Sequence, residues 1–418
     1  MPVFDQFAED QVVLLCNGQT MKLSKGYEVR ASVLDQPGQF SIDVGHAGMF
    51  ADLIRKFPPK SAFTLQVNDL DWMSGEIDDH SGKGPHTQLD IGGRDPIARL
   101  IDNSIYPQVT FKESTYTDLV QTAMDDVGLA TSLYPSNDAN RKAVTGKNEI
   151  QVETTVELNR ATEAGEEAEP DKVIQKLKVY KKIEAKVGES WWDFLKNQLD
   201  RAGLCLWASA DGGLVISPPN ANQAPIYRIF RKLDENGQLV KSNVVSHDYR
   251  NNTSGRKSEC IVTGKAGGGK QGHGQVEGRF IDTEMVQYLN PDPADQGYGG
   301  LRKCRLLRRD DKAKTIEQCN YLARRIIAEI NRNQMALAYT VAGHSTMALS
   351  GSARIVWSPD TVVEVDDDVL QIHRNFYIPT VELKRKPHTT SVLHLMRNED
   401  MVIGTKLSET EPSEDEGN

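Results

Sequence analysis

Long apolar runs are missing from this 418-residue sequence, and none approaches the roughly 20 consecutive residues that a membrane-spanning helix requires. The first ten residues, Met1 to Asp10, lack a basic end followed by an apolar stretch, so no secretory signal is expected. Synthesis and folding in a cytoplasm are expected instead. Cysteine is scarce: Cys16, Cys205, Cys260, Cys304 and Cys319 are odd in number, form no Cys-x-x-Cys pair and have no ligand-spaced histidine beside them. That pattern predicts buried reduced thiols. Positive charge is also short, with a formal net charge of -10, which argues against a surface that tracks nucleic acid along its whole extent.

With 38% hydrophobic and 26% charged residues, the composition is that of a soluble globular protein. Its length exceeds what one hydrophobic core serves, so several modules are expected. Residues 9–95 read as strand-rich. Val12 to Cys16 precedes the turn Asn17-Gly18, Tyr27 to Leu34 alternates, and Gln39 to Val44 follows. Met49, Leu53, Ile54 and Phe57 recur at helical spacing before Pro58-Pro59. Phe63 to Val67, Trp72 to Ile77 and Thr87 to Ile91 then resume the strands, an order that fits a small barrel around one helix.

Residues 96–224 read as a mixed α/β module, with a helix around Tyr116 to Val127 ending at Gly128. Residues 135–169, rich in Asn, Thr, Glu and Ala with little apolar periodicity, are expected to form an exposed excursion. Residues 225–400 return to strands, interrupted by a Gly-rich loop at 264–278 and a helix at 314–333. That helix carries the apolar stripe Ile316, Cys319, Leu322, Ala323, Ile326, Ile327 and Ile330. Leu337 to Ala342, Thr361 to Val365, Phe376 to Lys384 and Val392 to Leu395 are the strands expected after it. Residues 401–418 read as a disordered acidic tail. The fold class expected is α+β, mainly β and multidomain.

Several local patterns invite a chemical reading. Gly264 to Lys270 resembles a phosphate-binding loop after a strand, but Gln271 stands where a Ser or Thr would ligate magnesium, and Gly272-His273-Gly274 cannot start the required helix. Gly343-His344-Ser345-Thr346-Met347 lacks the second glycine of a nucleophile elbow. Asp366-Asp367-Asp368 lacks the spaced oxygens of a calcium loop, and His80 and His86 flank a Gly- and Pro-containing hairpin tip. Turns and loops account for all four, so no catalytic residue, cofactor or metal is expected. An enzyme reading survives only as the carboxylate pair Glu76 and Asp78, or residues near Asp366, in a peptidoglycan hydrolase.

Two features suit interaction better than catalysis. From Arg302 to Lys314, seven basic side chains outnumber Asp310 and Asp311, which suits a solvated or inter-subunit face carrying Arg302, Arg305, Arg308 and Arg309. Trp191 and Trp207 lie in apolar patterns and read as core, whereas Trp192 falls off the helical stripe and is the candidate surface contact.

The most telling stretch is Gly188-Glu189-Ser190-Trp191-Trp192-Asp193-Phe194-Leu195, followed by Gly203-Leu204 and Asp211-Gly212-Gly213-Leu214-Val215-Ile216. It reads as a capped helix, a glycine stop and a two-stranded hairpin. With Gly38-Gln39-Phe40-Ser41-Ile42, Gly75-Glu76-Ile77-Asp78, Gly92-Gly93-Arg94-Asp95, Arg256-Lys257-Ser258 and Ala342-Gly343-His344, this ordered series resembles the baseplate hub proteins of Mu-type contractile phage tails. Those proteins are similar in design to other contractile-tail hubs and to type VI secretion spikes. The resemblance implies a non-enzymatic homotrimer in which each chain contributes two tube-like β-barrels, here 9–95 and a discontinuous 225–400, giving six modules around a channel. It implies as partners the tail tube protein, a central spike protein and baseplate wedge proteins, with DNA passing unbound and no membrane insertion.

Overall fold

The computed structural model describes residues 10–23, 25–44, 50–83, 88–112, 114–134, 183–252, 254–265, 275–282, 304–310, 313, 316–351 and 353–401. The excursion expected at 135–169 and, of the tail expected at 401–418, residues 402–418 lie outside the described residues. The architecture is mainly β, as the patterning predicts.

Seven strands come first: β1 (Val12–Cys16), β2 (Gln19–Lys22), β3 (Tyr27–Ser32), β4 (Gln39–Asp43), β5 (Ala62–Val67), β6 (Leu70–Lys83) and β7 (Gln88–Arg94), with helix α1 (Phe50–Lys56) before β5. A mixed stretch follows: α2 (Ile97–Asp102), β8 (Val109–Phe111), α3 (Tyr116–Asp126), β9 (Leu133–Tyr134), β10 (Ile183–Ala185), α4 (Trp191–Ala202), β11 (Cys205–Ala208) and β12 (Leu214–Ser217). The remainder comprises β13 (Tyr227–Leu233), β14 (Leu239–Ser242), β15 (Val244–Asn251), β16 (Glu259–Lys265), β17 (Gln275–Ile281), β18 (Arg305–Arg309) and α5 (Ile316–Gln334). After them come β19 (Met335–Ala342), β20 (Ser345–Met347), β21 (Arg354–Val356), β22 (Thr361–Asp367), β23 (Ile372–Arg385) and β24 (Thr389–Arg397).

Local chemistry explains the punctuation. Asn17 and Gly18 both take positive φ (50° and 72°), the geometry that lets a two-residue turn join β1 to β2 without splaying them. Thr115 caps α3, its hydroxyl accepting the Asp118 amide while the Asp118 carboxylate accepts the Thr115 amide, and Gly128 at φ 68° follows the helix.

Two compact units emerge. The larger is Met1–Asn197, Cys205–Tyr249 and Leu337–Asn398; the smaller is Gln198–Leu204, Arg250–Ala336 and Glu399–Asn418. The expected 225–400 stretch is thus divided between them, because β13 to β15 and β19 to β24 join the strands of the first 94 residues.

In the larger unit a 14-stranded sheet runs β14-β13-β22-β23-β3-β4-β7-β6-β5-β1-β2, with β24, β19 and β15 continuing from β23 along a second branch. The branch arises because β23 changes partner along one edge: Ile372 to Ile378 pair with β22, and Thr380 to Arg385 pair with β3. Pro379 stands at the handover, where its missing N–H costs no ladder bond while its carbonyl accepts the Val33 amide at 2.9 Å. A register shift against β24 between Tyr377 and Thr380 marks the same place.

The other end of this branch returns on itself. β14 and β15 are halves of one extended segment; β14 pairs with β13 and β15 with β19, so the order β14-β13-β22-β23-β24-β19-β15 ends on the segment where it began. Asn243, between the halves, links both neighbours. Its Nδ2 donates to Arg228 O and its Oδ1 accepts from Phe230 N, both at 2.9 Å, and its carbonyl accepts from the Ala342 amide.

The smaller unit has a three-stranded sheet, β17-β16-β18, with α5 on one face. Cys260 and Val262 from the sheet meet Cys319, Ala323 and Ile327 from the helix, with Leu306, Val276 and Phe280 at the margin. Of the expected stripe, Cys319, Ala323 and Ile327 form the buried face of α5 with Leu322 and Ile326 at its margin, whereas Ile316 is 54% exposed. The Gly-rich loop expected at 264–278 is shorter at its far end, since Gln275–Ile281 is strand. Gly278 is a packing residue: a Cβ there would lie 2.3 Å from the Asn320 amide nitrogen, so glycine admits the helix against the sheet.

Candidate assembly interface

Four motifs from distant parts of the sequence converge in the larger unit. Gly75 on β6 lies against β7 so closely that a Cβ would be 2.0 Å from the Arg94 carbonyl oxygen, and a Cβ on Gly93 would strike the Phe40 ring at 2.5 Å. Asp95 is buried; its Oδ2 accepts the Gly38 amide at 2.7 Å and its Oδ1 the Ile97 amide at 3.0 Å, tying β4 to the start of α2. Burial pushes its pKa up to about 7, against those two amide donations. The Asp-Gly-Gly turn arrives at the same place, where the Ser74 hydroxyl donates to Ala210 O at 2.9 Å and Gly212, at φ 85°, leaves room for the Ser74 side chain.

Charge around this junction is paired. Arg94 donates to Asp78 and, at 2.6 Å, to Asp102, while Arg99 donates to Glu76. The two carboxylates that a glycosidase reading would use, Glu76 and Asp78, are each held by a guanidinium.

The helix and hairpin that follow behave as the sequence implies. Ser190 caps α4, accepting the Asp193 amide at 3.0 Å. Trp191 is fully buried, packs edge-on against Phe194 and donates its indole N–H to Asp126 Oδ2 at 2.6 Å. Trp207 is buried as well, whereas Trp192 is only half-buried. None of the five cysteines forms a disulfide, and Cys304 is the one that is not fully buried.

The basic tract proves to be an edge strand. β18 pairs in parallel with β16 alone among the described strands, in the register Glu259↔Arg305 to Thr263↔Arg309. Leu306 faces α5, so Arg305, Leu307 and Arg309 project from the opposite face. Arg305 donates to Glu259 Oε2 at 2.6 Å, Arg279 pairs with the other oxygen, and the Glu259 side chain is completely buried. Leu307 is 65% exposed, and Arg308 and Arg309 are exposed. Arg302 lies outside the described residues. Sequence patterning missed this strand because Arg-Leu-Leu-Arg-Arg does not alternate; parallel pairing to a buried neighbour fixes it instead.

The other chemical candidates resolve into structure. His344 is buried, with Nε2 2.8 Å from the Tyr27 hydroxyl and Nδ1 3.0 Å from Ser391 Oγ, and the Ser345 hydroxyl donates to Asp10 Oδ1 at 2.5 Å. Burial depresses the His344 pKa to about 4, leaving it neutral at pH 7. Burial also opposes ionisation of Asp10, but donations from Ser345, Asn68 and the His344 amide outweigh it and hold the carboxyl below the usual range. Asp366, Asp368 and His373 converge as a metal trio would, but Lys232 Nζ lies 2.5 Å from Asp366 and 3.0 Å from Asp368 and the Arg228 guanidinium lies 2.7 Å from Asp366, so two cations already balance the two carboxylates. His80 is on β6; His86 and the glycine loop Ala266 to Gly274 lie outside the described residues. No described helix is long and apolar enough to cross a membrane.

No family model matches this chain, and no curated protein matches it. Solved structures do. The 43 kDa tail protein of prophage MuSo2 from Shewanella oneidensis superposes with a TM-score of 0.64 at 16% identity, covering 94% of this chain and 99% of that one. This is the fold of prophage tail proteins. A tail protein from Neisseria meningitidis gives 0.63 at 18% identity with the same two coverages, 94% and 99%. A prophage tail protein from Listeria monocytogenes gives 0.50 at 11% identity over 92% of this chain and 94% of its own.

Proposed function

We propose that the chain is a structural baseplate hub of a contractile phage tail. One observation carries this reading: nearly the whole chain corresponds to nearly the whole of the Shewanella and Neisseria tail proteins, so the fold is shared as a complete design. In this reading three copies form a ring. Each copy contributes one tube-like barrel from residues 9–95 and one from the discontinuous 225–400 stretch, so threefold symmetry presents six similar modules. The returning strand order around Asn243 supports the second barrel, since the pairing path comes back to the segment where it began.

One face of the ring receives the tail tube protein and the other the trimeric central spike, with wedge proteins outside and DNA passing through the channel without binding. The net charge of -10 suits a channel that does not retain DNA. The paired state of Glu76 and Asp78 supports a non-enzymatic role. The protein would reside in the virion baseplate after assembly in the cytoplasm of the host bacterium. Co-expression with the tube and spike proteins from the same gene cluster tests it: a complex holding three copies of this chain is expected, and failure to associate with either partner contradicts the adaptor role. A neighbouring capsid gene in that cluster separates a phage tail from a secretion-type injection machine. Purified protein is expected to leave cell-wall suspensions turbid.

A further inference from the structure

The pairing path of the larger unit ends on two different strands. Its first strand set runs β3-β4-β7-β6-β5-β1-β2, and β2 pairs with β1 alone among the described strands. The second set ends on β15, whose sole partner among them is β19. Within the chain the two sets are already joined edge to edge, since Tyr27 to Ser32 of β3 pair antiparallel with Arg385 to Thr380 of β23. That seam uses one edge from each set. The edges of β2 and β15 that face away from β1 and β19 are left over.

These two edges carry matching side chains. Leu239, Val240, Val245 and Tyr249 are 37%, 49%, 52% and 43% exposed, so large apolar side chains gather on the segment made by β14 and β15. An open edge of that kind is a surface that proteins cover. His247 shows which way β15 faces: Arg231 Nη1, a donor only, lies 3.0 Å from His247 Nδ1, and Arg231 is buried. Alternation puts Val245 and Tyr249 on the face of His247 and puts Asp248 on the outer face. On β2, Met21 stands opposite buried Leu14, so Met21 looks inward and Lys22 outward. Lys22 and Asp248 are exposed, and neither is ion-paired among the described residues. An antiparallel pairing that sets Lys22 against Asp248 also sets Met21 against Tyr249, each pair on matching faces. A parallel pairing would set Met21 against His247, which Arg231 already holds.

We propose that β2 of one copy adds antiparallel to β15 of a second copy, with Lys22 opposite Asp248 and Met21 opposite Tyr249. The seam joins two different edges, so it is a head-to-tail contact that repeats from copy to copy and closes where the rotation allows a ring. It rests on the three-copy reading and names the surfaces on which that ring is built. In the closed ring neither edge stays open.

The test is cross-linking of the full chain carrying K22C with D248C, oxidised after assembly and compared with the parent chain and each single variant. Copies labelled with heavy and light nitrogen are mixed in dilute solution before assembly, so a linked peptide pair of mixed mass marks a bond between copies. A covalent trimer is expected from the double variant alone, with positions 22 and 248 joined in peptides of mixed mass. Charge reversal gives a second readout. K22E and D248K are each expected to weaken trimer formation about 3- to 10-fold in sedimentation at low salt, as an exposed ion pair allows, and the chain carrying both is expected to recover. A trimer that forms without the link, or a link found only within single chains, overturns this seam and leaves the three-copy reading standing. Equal sedimentation of all the charge variants also overturns the seam. A parent chain that stays single at every concentration overturns both.

Discussion

Asp95 Oδ2 accepts the Gly38 amide at 2.7 Å although 57 positions separate the two residues. This bond joins β4 to the entry of α2, and the same carboxylate satisfies the Ile97 amide. Asp95→Ala would leave two buried donors without acceptors and is expected to cost about 2–4 kcal/mol. Urea unfolding of the variant against the parent chain measures it; a change below about 0.5 kcal/mol, as at an ordinary surface site, would remove Asp95 from its organising role.

The pH dependence of stability has two opposed parts. Asp95 titrates at about 7 in the fold against an ordinary 3.8, so between those values the native state keeps a proton that the unfolded chain has lost, and stability declines as pH rises. His344 titrates at about 4 against an ordinary 6.5, so in that window the unfolded chain gains a proton that the native state refuses, and stability declines as pH falls. From about pH 4.5 to 6.5 the two slopes offset each other. Asp95→Asn is therefore expected to make stability rise with pH and His344→Gln to make it fall, read as urea midpoints across that range. Parallel slopes in the two variants would contradict the assignment.

Gly75→Ala places a methyl carbon against the Arg94 carbonyl, and backbone cannot rotate away as a side chain can. A loss of at least about 2–3 kcal/mol is expected. Thermal unfolding checks it, and an unchanged midpoint would mean that β6 and β7 separate more easily than their spacing implies.

How much was legible follows from these residues. The hairpin at Asn17-Gly18, the cap at Ser190, the buried Trp191 and the stripe of α5 are local patterns, and local patterns survive in a sequence. Glycines read less well. Gly278 sits in a strand because a helix presses on it, and only the helix position reveals that. β18 is held by parallel pairing to β16, and β23 serves two neighbours across Pro379; neither arrangement leaves a periodic trace. The junction was half visible: its motifs stood out as an ordered series, but their meeting at Asp95 is a tertiary fact.

A buried ion pair in the larger unit offers an independent check. Arg231 donates to Asp367 Oδ2, the Tyr339 hydroxyl donates to the same oxygen at 2.6 Å, and the Asp367 side chain is wholly buried. Asp367→Ala would strand a buried guanidinium and is expected to cost about 3–5 kcal/mol. Asp366→Ala, in the more exposed cluster with Lys232, is expected to cost about 1 kcal/mol or less. Equal losses, compared by chemical denaturation, would contradict this ranking.

The hub reading depends on three copies closing around a hole, and class averages of the purified protein by electron microscopy test that most directly. The predicted image is a ring of threefold symmetry with six similar densities around an open centre. A compact single chain without a hole, persisting at high protein concentration, would contradict it.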